Sequence, residues 1–136
     1  MANSNQRYRG ADTKVLFSIS NLTKEKLPQI RWEIFKNKAL GEKYSLSLVI
    51  CGSSLSRKLN KERRSKDKAA NVLSFPLSDN LGEIFIDINV AKKEASAQKS
   101  PLKEQLEFLY VHGLAHLAGH THGARMDRFE RVIHNK

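Results

Sequence analysis

Between His112 and His122 the chain reads His-Gly-Leu-Ala-His-Leu-Ala-Gly-His-Thr-His, and this run constrains the fold more than any other stretch. Side chains four positions apart stack on one face of an α-helix, so His112 and His116 point two imidazoles the same way once the segment is helical. Leu102, Leu106, Leu109, Gly113 and His116 keep the helical period, with Ser100-Pro101 as an opening signal and Gly119 as a stop. Past that glycine the chain turns, and His122 brings back a third imidazole. Three convergent imidazoles at about 2.0–2.1 Å with one position left open are the ligand set of a catalytic zinc ion rather than a closed structural one. The reading is therefore one zinc per chain on His112, His116 and His122, at the end of a central helix. His120, two residues earlier, is the alternative to His122 as third ligand. His134 reads as an ordinary exposed residue.

The remaining chain supplies strands and helices in mixed order. Lys14 to Ser20 reads as a strand with Val15, Phe17 and Ile19 on one face, and Tyr44 to Cys51 as a second, with Tyr44, Leu46, Leu48 and Ile50 aligned. Between them a helix is expected from near Pro28, carried by Ile30, Ile34 and Phe35 and stopped by Gly41. Ser54 to Asn60 reads as a short helix, the basic stretch after it as a loop, and Val72 to Pro76 as a short strand ended by its proline, which disfavours an interior ladder position. Leu81-Gly82 turns into a strand over Glu83 to Ile88. Asn89 is the expected cap of a helix over Val90 to Gln98, and a last helix is read over Arg125 to Asn135. Residues 1–13, polar and without period, read as a flexible tail, and 14–136 as a single domain. A chain of 136 residues with 40% hydrophobic and 28% charged residues suits one such domain. The expected class is α+β: a small mixed sheet packed against helices.

Charge narrows the partner. The formal net charge is +10, and Arg57 to Lys68 carries seven basic residues (Arg57, Lys58, Lys61, Arg63, Arg64, Lys66 and Lys68) against Glu62 and Asp67. Such a cluster favours a polyanion, and nucleic acid above all. No basic amphipathic helix with an aromatic face points to a membrane surface. No apolar run reaches the roughly 18 residues of a spanning helix. The polar N-terminus lacks the apolar core of a secretory signal, which leaves the cytoplasm as the expected compartment. The single cysteine, Cys51, sits in the apolar run Leu48-Val49-Ile50 and reads as a small buried hydrophobe.

The histidine spacing equals that of the metzincin signature, His-x3-His-x2-Gly-x2-His, with one departure. Where a metzincin peptidase carries the glutamate that activates water, this chain has Gly113. The metal-binding half of the motif is present and the protease half is missing, so a zinc peptidase is the weaker reading.

His-Gly-Leu-x-His-Leu-x-Gly-x-x-His closely resembles the signature of the YbeY family of single-domain, zinc-dependent endoribonucleases, also described as ribosomal-RNA maturation factors. Leu59-Asn60, Arg64, Asp67 and Asn71-Val72-Leu73-Ser74-Phe75-Pro76 are similar to the family's segment ahead of the zinc helix, and Leu81-Gly82-Glu83-Ile84 to the strand that follows. Together these cover roughly residues 44 to 130. The chain departs from the family at Ala115, where leucine is usual, at His120, where an aromatic is usual, and at Thr121, where aspartate is common. Ala69-Ala70 stands where Pro-Thr is common. Thr121 thereby offers no carboxylate beside the metal.

The resemblance implies cleavage of single-stranded ribosomal RNA, in 16S-type 3′-end maturation and ribosome quality control, with ribosomal proteins or a ribosome-associated GTPase as partners. It places Arg64 where the family has an arginine near the zinc, suited to stabilising charge on the phosphoryl oxygens. Lys58, Lys61, Arg63, Lys66 and Lys68 would bind backbone phosphates. Ser74 and Phe75 would shape the site wall, Phe75 as a core aromatic or as a platform for an unpaired base. The general base stays open between Asp67, His120 and the zinc-activated water itself. The alternative to a nuclease is a basic, non-catalytic RNA-binding assembly factor whose zinc is structural.

Overall fold

The computed structural model describes residues 15–119. The tail 1–13, the histidines His120, His122 and His134, and the helix read over Arg125 to Asn135 lie outside the described residues.

The elements follow the order β1 (Phe17–Asn21), α1 (Trp32–Leu40), β2 (Ser45–Cys51), α2 (Ser53–Arg64), β3 (Val72–Ser78), β4 (Leu81–Asp87), α3 (Ile88–Gln98) and α4 (Leu102–Leu117). The strands form one sheet of order β1-β2-β4-β3. β1, β2 and β4 run parallel, and β3 pairs antiparallel with β4. This is the expected α+β class with a mixed sheet.

The alternating run in β2 is central and covered on both sides: Leu46, Leu48 and Ile50 are fully buried, and on the other face Cys51 is fully buried beside a buried Val49. That double burial is characteristic of interior parallel strands. The first face packs with Ile84, Ile86 and Ile88 against Leu106, Leu109, Tyr110 and Leu114 of α4 and Phe35 of α1, and this cluster is the core. Burial, with Glu33 adding to it, pushes the Tyr110 phenol well above its usual pKa. The neutral hydroxyl donates to the Trp32 carbonyl at 2.8 Å, which fastens α4 to the start of α1.

Several boundaries differ from the sequence reading for identifiable reasons. α1 begins at Trp32, four positions after Pro28. α2 does not stop at Asn60 but runs to Arg64, so part of the basic stretch is helix, not loop. Lysine, arginine and glutamate are good helix formers, and Leu59 anchors the turn beneath them. β3 continues through Pro76 to Ser78, because it is an edge strand and the missing N–H faces no partner; its register slips between Pro76 and Ser78. Asp87, not Asn89, caps α3. Its Oδ1 accepts from the backbone N–H of Asn89 at 2.9 Å and of Val90 at 3.1 Å, and its Oδ2 accepts from the Ser56 hydroxyl at 2.6 Å. Pro101 is the cap of α4 and Leu102 its first residue. Gly119, at φ +93°, follows the last turn of α4.

Candidate functional site

α4 carries His112 and His116 on the face turned away from the core, while Leu109, Tyr110, Val111, Leu114 and Ala115 are buried beneath them. The two imidazoles meet nearly edge to face, with ring centroids 4.7 Å apart and planes at 80°. Their Nε2 atoms stand 3.2 Å apart. Two nitrogens bound at about 2.0–2.1 Å to one tetrahedral ion lie about 3.4 Å apart, so the pair fits shared coordination of one ion. His122, the expected third member, lies outside the described residues. Among the described residues no group of three or more His, Cys, Asp or Glu side chains is placed to hold a metal.

The histidines line a cleft of about 580 Å³ together with Arg64, Asn71, Val72, Ser74, Pro76, Phe108 and Leu109. Three elements build it. α4 gives one wall, alternate residues of β3 give the other, and the C-terminus of α2 contributes Arg64. The turn that presents Arg64 is fixed by the buried Asn60. Its Nδ2 donates to the Lys68 carbonyl at 2.9 Å, and its own carbonyl accepts from the Lys66 N–H at 3.2 Å. Ser65 takes the left-handed conformation there, at φ 58°.

The β3 wall is pinned to the helix layer at two points. Ser74 Oγ donates to the Gly113 carbonyl at 3.1 Å. Asn71 Nδ2 donates to Glu94 Oε2 at 3.0 Å, and Gln105 of α4 donates to the other oxygen of the same carboxylate at 2.8 Å. Gly113 is buried against the sheet, where an added Cβ would lie 3.0 Å from Ser74 Oγ and 3.1 Å from Ile84 Cδ1. A glutamate at this position would point into the sheet and not toward the histidine pair. Glycine in the place of the peptidase glutamate permits this close approach of helix and sheet.

The basic residues separate into four groups. Arg64 shares the histidine cleft. Lys58 and Lys61 line a second groove, of about 630 Å³, with Ser54, Arg57, Glu62 and Asp67. Lys66 and Lys68 are exposed on the turn after α2 and border neither. Arg63 is engaged with the protein: its guanidinium sits 4.4 Å from the Phe75 ring centroid and 3.9 Å from Glu83. Phe75 in turn packs edge-on to Phe85 at 5.9 Å and does not border the histidine cleft. Asp67 accepts a 2.7 Å hydrogen bond from Arg57 Nε, which holds its carboxyl below the usual range and places it in the second groove rather than beside the histidines.

Sequence reasoning missed Phe108 and Asn71 as lining residues. Phe108 stands four positions before His112, the same spacing that singled out His116, and that stripe was the available signal.

A family model described as Endoribonuclease YbeY matches residues 9–135. Among curated relatives of that name, the one from Sulfurihydrogenibium sp. is 33% identical over 129 residues, covering 90% of this chain and 84% of the relative. The one from Finegoldia magna is 35% identical over 99 residues, or 68% of this chain and 63% of the relative, so the chain spans less than two thirds of that protein's length. The Aquifex aeolicus relative is 35% identical over 114 residues, with 77% and 76% covered. A solution structure from Thermotoga maritima shares the fold at TM-score 0.54 and 19% identity, over 85% of each chain. With its matched segment reaching from before β1 to beyond α4, the chain belongs to the endoribonuclease YbeY family.

Proposed function

We propose that this protein is a zinc-dependent endoribonuclease that cuts single-stranded RNA, acting on ribosomal RNA in 16S-type 3′-end maturation and ribosome quality control in the cytoplasm. The observation that carries the reading is the convergence of His112 and His116 Nε2, 3.2 Å apart, in a cleft that also takes Arg64. His112, His116 and His122 would hold the ion. When bound, zinc supplies an activated water near neutral pH and polarises a phosphoryl oxygen.

The chain's own groups do the rest. Arg64 brings a permanently charged, planar donor set to the cleft, suited to the negative charge that gathers on the equatorial oxygens during phosphodiester cleavage. Lys58 and Lys61, in the neighbouring groove, hold backbone phosphates without reading sequence. Lys66 and Lys68, on the adjoining turn, add to the same field. Arg63, occupied by Phe75 and Glu83, positions the strand edge and contributes less to RNA. Ribosomal proteins or a ribosome-associated GTPase are the proposed protein partners.

The exposed cations of α2 also favour a second reading, a non-catalytic RNA-binding assembly factor with a structural zinc. Metal content by mass spectrometry, measured beside cleavage of a single-stranded RNA, separates the two. About one zinc per chain, lost together with cleavage in His116→Ala, supports the nuclease. Zinc retained by a wild-type chain that binds RNA and never cuts it supports the assembly factor. Full cleavage by zinc-free protein overturns both.

A further inference from the structure

Phe108 is the exposed aromatic of the histidine cleft. It retains 51% of its accessible surface, and its ring stacks on His112 with centroids 6.1 Å apart and planes 25° from parallel. Along α4 the rings of Phe108, His112 and His116 therefore form one continuous stripe on the cleft wall. An exposed phenyl group in this place gains little from the core, since the next residue, Leu109, takes the buried position.

We infer that Phe108 is the platform on which an unpaired base beside the scissile phosphate stacks. The inference rests on the nuclease reading and names what makes such a site prefer unpaired RNA. Every base has a π-face, so an aromatic platform accepts any sequence. In a duplex those faces are already covered by neighbouring base pairs, and the platform has nothing to receive. The geometry suits the role. The ring is tilted 25° from its histidine neighbour, and its outer surface is open to the cleft. The opposite wall offers Val72, Ser74 and Pro76, short side chains that leave a flat base room to enter. The other candidate, Phe75, is taken: Phe85 meets its edge and Arg63 covers its face.

The test uses the zinc-loaded chain of 136 residues and a single-stranded RNA oligonucleotide carrying 2-aminopurine beside the cleavage site, with an abasic version as partner substrate. Stacking on the platform quenches the fluorophore on binding. Phe108→Ala and Phe108→Leu should lose the quench and lower kcat/KM by about five- to a hundredfold on the intact oligonucleotide. Both should match the wild type on the abasic one. Phe108→Trp should restore quench and rate, and unchanged circular dichroism confirms that the variants fold. A quench and rate equal to wild type in Phe108→Leu, while the wild type cuts RNA, overturns the platform and leaves the nuclease reading standing. A wild type that neither cuts nor quenches removes the nuclease reading and the platform with it.

Discussion

α4 and α2 both deliver side chains to the proposed site, but they hold them in opposite ways. α4 is gripped by the core along its length: Leu106, Leu109, Tyr110, Val111 and Leu114 are buried, and its histidines ride on a helix that has no room to shift. α2 buries only Ser56, Leu59 and Asn60, and projects its lysines and arginines from a surface largely open to solvent. The difference follows what each chemistry demands. Two nitrogens that share one ion must stand within a few tenths of an ångström of the right separation. A lysine that attracts a phosphate needs only its charge and an approximate direction. Precision is built where packing can enforce it, and attraction is built where packing is sparse.

The contrast is broken or sharpened most strongly at the histidines. His112→Ala should take RNA cleavage to background and remove bound zinc, whereas Lys58→Ala should do neither; metal analysis and a single-turnover assay on both variants read the difference. Arg64 is the intermediate case, carried by α2 but lining the α4 cleft. Arg64→Ala should lower kcat by about a hundredfold with zinc content unchanged. If that variant cut at the wild-type rate, Arg64 would belong with the other α2 cations.

Gly113→Ala tests the packing side of the comparison. The new methyl group meets Ser74 and Ile84, so thermal unfolding should show a loss of about 1–3 kcal/mol. No loss would mean that shifting Ser74 and Ile84 costs no more than the roughly 1 kcal/mol that alanine gains over glycine within a helix. The attraction side is tested by salt. Replacing Lys58 and Lys61 together with glutamine should make log K against log salt shallower by about 1.4, roughly 0.7 per phosphate contact on a single strand. An unchanged slope would place the RNA elsewhere.

The smallest effect is expected at Cys51, on the buried strand β2. Burial first, and then Asp87, pushes its thiol from 9.0 up to about 12. The folded state therefore prefers the neutral thiol. Its contribution to stability is complete below pH 9.0 and is lost as the pH rises toward about 12. A thiol reagent at pH 8 should leave the native chain unmodified, and Cys51→Ala should flatten the alkaline limb of the unfolding curve.

Much of this was legible in the sequence because the signals are periodic. Alternation marked β2 and β4, and the four-residue histidine spacing with Gly119 marked α4 and its end. The misreadings occur where two signals compete. The charges of Lys61 to Arg64 read as loop, yet they are helix-forming residues on a turn anchored by Leu59. Pro76 read as a strand end, yet on an edge strand its missing N–H costs no ladder bond. Asp87 read as a residue inside a strand that ran on to Ile88, and its capping role became visible only when the amides of Asn89 and Val90 were seen pointing at it. Neither the company that Arg64 keeps nor the seclusion of Phe75 is written in any local pattern, because both depend on which strand lies at the sheet edge. His122 and the third coordination position fall outside the described residues.

The bond from Ser74 to the carbonyl of Gly113 has a consequence for how such a cleft can change. It ties the edge strand to the backbone of the helix, at a residue with no side chain to intervene. The spacing of the two walls is thus held at Ser74, like the fixed jaw of a caliper, and not by Phe108, Val72 or Pro76. Phe108, Val72 or Pro76 can be exchanged to alter what the opening accepts while the opening keeps its width. On the proposed reading, what the cleft accepts and how far apart its walls stand become separately adjustable quantities.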